Sequence, residues 1–96
     1  MKVELSLEAE AQAATIDAWW RENRRAAPDL FSNELDRMLK TLGEMPSLGT
    51  AYQARRRRIR RVLLRRTHYH LYFVERGEGL FVVAVWSVYR GRGPKL

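Results

Sequence analysis

The chain reads as an α+β fold in the order β-α-α-β-β-β: an N-terminal strand, an αα-hairpin and a three-stranded antiparallel meander. Three observations predict it. Apolar residues recur at spacings of four, three and four in two successive segments, which is the period of one helix face. From residue 59 the pattern changes to alternation and to runs of β-branched and aromatic residues, as strands require. Short turn signals separate those runs, and sequential strands joined that way pair antiparallel, leaving one face for a helix pair to cover.

Taken in order, Val3 and Leu5 alternate with Lys2 and Glu4, as in a short strand. Ser6 offers a helix N-cap, and Glu8 and Glu10 lie where the helix dipole favours acids. Ala9, Ala13, Ile16 and Trp20 form one helical face, broadened by Trp19, while Arg21, Arg24 and Arg25 gather at the opposite end. This predicts a helix over 7–24. Ala26-Ala27-Pro28-Asp29 interrupts and restarts the chain, since proline and an acid both suit a first helical turn. Phe31, Leu35, Met38 and Leu42 repeat the spacing with Leu30 and Leu39 beside them, Gly43 reads as the residue past the helix end, and Pro46 bars continuation. The second helix is expected over 28–42. Two matched helices on a short link make an αα-hairpin, with Ala9 and Ala13 of the first opposing large residues of the second.

Residues 43–57 carry two glycines and a proline and read as a loop, pinned to the body by Leu48 and Tyr52. Residues 59–64 form the first strand of the meander. Residues 68–74 form the second, with Tyr69, Leu71 and Phe73 on one face and His68, His70 and Tyr72 on the other. Arg76-Gly77-Glu78-Gly79 is a turn. Residues 80–89 are apolar on both faces, so this strand is expected to be central. Arg90-Gly91-Arg92-Gly93-Pro94-Lys95-Leu96 reads as a flexible basic tail with no core to join. The expectation is a single domain over 1–96.

Charge divides the chain. Residues 1–50 hold nine acids and six bases, net −3, and residues 51–96 hold twelve bases and two acids, net +10. The basic half calls for a polyanion or an acidic protein. Its centre is residues 55–66, eight of which are arginine and the other four aliphatic. It reads as a charged loop at 55–58 running into a buried strand. With no cysteine, disulfides, thiolate metal sites and thiol catalysis are excluded. Neither the apolar stretch of ~7–15 residues of a signal peptide nor the ~20 apolar residues of a membrane span is found.

Several of these stretches, in this order, match a known pattern. Met45-Pro46-Ser47-Leu48-Gly49 follows the second helix, Arg60-Arg61-Val62-Leu63-Leu64 leads into Arg66-Thr67-His68-Tyr69-His70-Leu71-Tyr72, and Ala84-Val85-Trp86 is followed by Arg90-Gly91-Arg92-Gly93-Pro94. In these the chain resembles the RelE/ParE superfamily of type II toxins, and within it the ParE-like branch. Ser87 departs from that pattern, standing where histidine is frequent, and Val88 and Tyr89 replace small or basic residues. The resemblance implies a bacterial cytoplasmic toxin silenced by a smaller acidic antitoxin (ParD-like). The antitoxin's C-terminal segment would fold on binding, laying an amphipathic helix and a strand between the αα-hairpin and the sheet. The ParE branch is associated with inhibition of DNA gyrase, without known covalent chemistry of its own. The RelE branch cuts messenger RNA in the ribosome.

The chemistry-bearing residues are weighed on that basis. Arg90, Arg92 and Lys95 supply charge and Trp86 an aromatic surface for the target. Trp19, Arg58, Arg60, Arg61, Leu63 and Arg65 are the candidates for the antitoxin, with Trp19 exposed because neighbouring helix residues diverge by about 100°. Arg60 and Arg61 fall on opposite faces of their strand, so one needs an acid or carbonyl partner near the helices and the other faces the open side. The alternative of an RNA-cleaving enzyme would use Arg61 and Arg90 on phosphate and Tyr89 as acid or base. Lysines are absent from the loop before the first meander strand, and the arginines there cannot shed a proton at working pH. His68 and His70 lack a third ligand nearby, so no metal is expected. Gly91 and Gly93 precede no helix, so neither is a phosphate loop or cofactor expected. A third alternative, a plain nucleic-acid-binding domain, lacks a basic recognition helix.

Overall fold

The computed structural model of the chain describes residues 1–53 and 58–96. The elements are β1 (Lys2–Leu5), α1 (Leu7–Asn23), α2 (Leu30–Glu44), β2 (Thr50–Gln53), β3 (Arg58–Leu64), β4 (Tyr69–Arg76) and β5 (Gly79–Ser87). They form one five-stranded sheet in the order β1-β5-β4-β3-β2. The α+β class and the helical hairpin are as expected, and a strand is added. Thr50–Gln53, read as loop, pairs antiparallel with β3 from Thr50↔Arg61 to Gln53↔Arg58. The turn into it is made by Gly49 at φ +99°, where an added Cβ would lie 2.9 Å from the Arg61 carbonyl oxygen. The sheet is also mixed, since β1 runs parallel to β5 while the other pairs are antiparallel. Of the arginine-rich loop expected at 55–58, Arg58 already belongs to β3 and residues 55–57 lie outside those described.

Local chemistry accounts for most boundaries. The Ser6 hydroxyl accepts from the Ala9 amide at 3.0 Å and starts α1 as expected. The second helix begins and ends two residues later than expected: Asp29 stands at its N-cap, and Gly43 lies inside the helix. Gly43 is retained there for close approach, because a Cβ would lie 3.0 Å from the Met1 carbonyl oxygen. The β3–β4 loop has four residues, and its last, His68, adopts φ 67° so that its amide reaches the Leu64 carbonyl at 2.8 Å. His68 therefore does not share a strand face with His70. Histidine is among the residues that tolerate this left-handed region.

Two apolar layers flank the sheet. The helix side contains Ala9, Phe31, Leu35, Leu42, Val62, Leu64, Leu71, Phe73, Leu80, Val82 and Val85. Helix α2 inserts three buried side chains, Phe31, Leu35 and Leu42, whereas α1 buries only Ala9 and leaves Ala13, Ile16 and Trp20 half-covered. Each large side chain so buried contributes about 1.5–3 kcal/mol, so α2 is anchored and α1 less so. The opposite face carries a second cluster of Ile59, Tyr72, Val74, Val83 and Ala84, with Tyr52, Phe81, Trp86 and Leu96 packed on it. Both 83 and 84 lie on this face because Val82 pairs with Phe73 and Ala84 with Tyr72, which leaves Val83 as the extra residue of a bulge. The 90–96 segment is corrected here. It does have a core to join, since Pro94 is buried and Leu96 packs on the second cluster.

Candidate functional site

The incomplete coverage of α1 opens a cleft of about 850 Å³ between that helix and the end of β5. Trp19, Trp20, Tyr69, Trp86 and Tyr89 give it an aromatic lining, and Arg24 and Arg90 stand at it as cations. Its polar members are Glu8, Gln12, Thr15, Thr67, His68 and Ser87. Trp20 faces the core and donates from Nε1 to the Tyr69 hydroxyl at 3.0 Å, while Trp19, one residue earlier, remains 43 % exposed. The Arg24 guanidinium lies 4.9 Å from the Trp19 ring centre and Arg90 lies 4.1 Å from that of Trp86. Each arginine is held by a cation–π contact, and Arg24 also donates from Nη1 to the Asn23 carbonyl at 3.3 Å. Tyr89 is 76 % exposed and tilts against His68 at 5.5 Å.

Behind the cleft the 90–96 segment lies as a strap over the open face. Trp86 donates from Nε1 to the Arg92 carbonyl at 2.8 Å. Gly93 passes so close to Tyr52 that a Cβ would lie 2.5 Å from its hydroxyl oxygen. Lys95 lines a smaller pocket with Arg92, Trp86 and Glu8. The four residues expected to meet a target, Trp86, Arg90, Arg92 and Lys95, thus form one neighbourhood.

The residues expected to meet an antitoxin do not. Arg60 turns to the helix side, donating from Nε to the Leu48 carbonyl at 3.3 Å and from Nη2 to that of Pro46, with Glu75 3.6 Å away and the Phe73 ring beneath. Arg61 takes the open face, capped by Tyr52 and Tyr72 and donating to the Tyr72 hydroxyl at 3.3 Å. Leu63 is exposed on β3, Arg58 and Arg65 are exposed at its two ends, and Trp19 lies in the cleft on α1. The trio considered for RNA cleavage is also split: Tyr89 and Arg90 line the cleft and Arg61 does not. His70, next to Tyr72 on the open face, has its pKa lowered by burial and, secondarily, by the charge of Arg61.

Sequence reasoning passed over Arg24, Gln12 and Gly93 as site residues. Arg24 was legible as the cation four and five positions after Trp20 and Trp19. Gln12 was legible as a polar residue beside Ala9, Ala13 and Ile16 on the core-facing side of α1. Gly93 carried no signal, because its constraint is the Tyr52 hydroxyl 41 positions away.

No helix is long and apolar enough to cross a membrane among the described residues. The family described as the ParE toxin of the type II toxin–antitoxin system parDE matches residues 3–90. Among solved structures the chain is similar to the chromosomal ParDE toxin–antitoxin system from P. aeruginosa, with a TM-score of 0.73 over 92 % of this chain and 96 % of that one. Identity there is 16 %, so this likeness concerns the fold. No curated protein sequence matches.

Proposed function

Because this chain belongs to the ParE toxins of type II toxin–antitoxin systems, we propose that it inhibits DNA gyrase by binding it and is silenced in the cytoplasm by an acidic, ParD-like antitoxin. The observation that carries the target half is the strap. It gathers Arg92 and Lys95 beside Trp86, with the Trp86 Nε1–H bonded to the Arg92 carbonyl and Arg90 stacked on the Trp86 ring. Cations held on a docked backbone lose less conformational freedom on binding than cations on a free tail. An aromatic ring with flanking arginines is the composition of interface hot spots. Inhibition by occupancy requires no proton relay, and Arg61 stands apart from Tyr89 and Arg90.

The antitoxin half follows from charge and shape. The basic half of the chain, net +10, calls for an acidic partner, and the cleft beside α1 offers that partner apolar surface. Arg58, Arg61, Leu63 and Arg65 would be covered as the partner continues over the sheet, while Arg60 serves to hold the 46–48 loop.

The test is gyrase supercoiling with purified chain. The parent should slow it, and Arg90→Ala with Arg92→Ala should weaken the effect by about tenfold or more, as loss of roughly 1.4 kcal/mol or more of binding would. Full gyrase activity at micromolar toxin refutes the reading. Defined cuts in messenger RNA on translating ribosomes, lost in Tyr89→Phe, would replace it with the ribonuclease.

A further inference from the structure

The open face of the sheet seats its arginines on aromatic rings. Arg61 lies over Tyr52 and Tyr72, 5.1 and 5.9 Å from the ring centres, and Arg90 lies 4.1 Å from that of Trp86. Arg61 is in register with Tyr72 on β4 and, through it, with Ala84 on β5, two residues before Trp86. At ~4.8 Å per strand and ~3.3 Å per residue, the backbone positions of Arg61 and Trp86 are about 12 Å apart. The strap fills that interval. Its Arg92 carbonyl is bonded to Trp86, and Gly93, the next residue, lies against the Tyr52 hydroxyl. Arg90, Arg92 and Arg61 thus form a row across the strands, with exposed Lys95 further along the strap. None of the four is in an ion pair among the described residues, whereas Arg60 on the helix side has Glu75.

We infer that this face binds duplex DNA by its phosphate backbone, without reading bases, through the row Arg90, Arg92 and Arg61. Four features select that occupant. Arg61 and Arg90 are held apart on separate rings, so they do not converge on one small anion, and a repeating polyanion meets both. The guanidinium fork suits phosphate, and stacking fixes it before contact. The rings of the row already carry guanidiniums, and exposed Tyr89 turns to His68 and the cleft, so unpaired bases find no stacking platform here. The apolar side chains of this face, Ile59, Tyr72, Val74, Val83 and Ala84, are buried, so an acidic protein finds little surface for an anchor beyond Leu63. Acids bound the footprint: Glu8 lines the pocket under the strap, and Glu4 and Glu78 accompany Arg76 at the β1 end.

That the duplex is the one held by gyrase rests on the proposed function; affinity for the backbone does not. The probe is a labelled duplex of two helical turns, in two unrelated sequences, titrated with the full chain and followed by fluorescence anisotropy. Saturable binding of equal strength to both sequences is expected. Affinity should fall about fiftyfold between about 50 and 200 mM salt, a log–log slope of about −3 for three phosphate contacts. Arg61→Gln and Arg92→Gln should each weaken binding to both sequences and reduce the slope by about 1. Arg76→Gln removes the same charge outside the row and should change neither. An equal loss in Arg76→Gln would mean attraction to net charge alone and overturns the proposal. Tighter binding of single-stranded DNA, of duplex RNA or of polyglutamate overturns it too, as does no saturation. Amide shifts of the isotope-labelled parent need no variant, so misfolding cannot mask them. They should centre on Arg61, Arg92 and the Trp86 indole N–H, and shifts centred on Trp19 and Arg24 contradict the assignment. Duplex binding with gyrase unaffected would refute the proposed function alone, and gyrase inhibition without duplex binding would refute this inference alone.

Discussion

Removing the Glu34 carboxylate should loosen the turn that carries one wall of the cleft. Glu34 lies on α2, and its Oε1 accepts from the Thr67 amide at 3.0 Å and the Thr67 hydroxyl at 2.6 Å, while Oε2 accepts from the Arg66 amide at 2.8 Å. Thr67 is 5 % exposed, so its two donors cannot turn to water when the carboxylate is lost, whereas the exposed Arg66 amide can. Two stranded buried donors at about 1–3 kcal/mol each, with nothing charged to Arg66, give about 3 kcal/mol for Glu34→Ala. In a domain of this size that lowers the melting temperature by roughly 12–24 °C. Glu34→Gln keeps Oε1 for both Thr67 bonds and turns an amide toward the Arg66 N–H, so about 1 kcal/mol is expected from the lost charge and that opposition. Thermal unfolding followed by circular dichroism, with urea midpoints at unchanged m, measures both. A Glu34→Ala protein within about 0.5 kcal/mol of the parent, or a glutamine variant as damaged as the alanine one, refutes the account.

Three further outcomes are expected. Gly49→Ala should destabilise by about 2–3 kcal/mol, since φ +99° strains any side chain and the methyl meets the Arg61 carbonyl and the Phe73 ring; an unchanged urea midpoint would contradict it. Gly93→Ala should push the strap off Tyr52, break the Trp86–Arg92 bond and change tryptophan fluorescence, and adding Tyr52→Phe, which removes the opposing hydroxyl, should restore the parent spectrum. For His70 the folded state disfavours the proton, so the effect on stability is nil above the ordinary imidazole pKa. As pH falls through and below about 6.5, the unfolded chain takes up that proton first and stability drops. His70→Gln should flatten this slope between about pH 7.5 and 5, and denaturant midpoints of the two proteins across that range measure it.

The sequence by itself determined the elements that local chemistry dictates. The 4-3-4 spacing of Phe31, Leu35, Met38 and Leu42 requires a helix with one buried face, and the Ser6 cap fixes where α1 begins. Alternation in 59–64 separates Arg60 from Arg61 whatever the sheet does, so one guanidinium had to find carbonyls near the helices and the other the open face. The ParE-like order of motifs was legible for the same reason: each is a short stretch with its own local constraint. Tertiary structure decided what depends on distant partners. Thr50–Gln53 has no strong strand pattern and becomes β2 because β3 offers an unpaired edge and Gly49 can make the turn. Gly43 stays within a helix because the Met1 carbonyl passes there. The basic segment at 90–96 looks disordered by composition, yet Tyr52, Trp86 and the second apolar cluster give it a surface to cover. The cleft follows from two lengths that only the folded sheet compares: β1 stops at Leu5, and β5 runs on to Ser87.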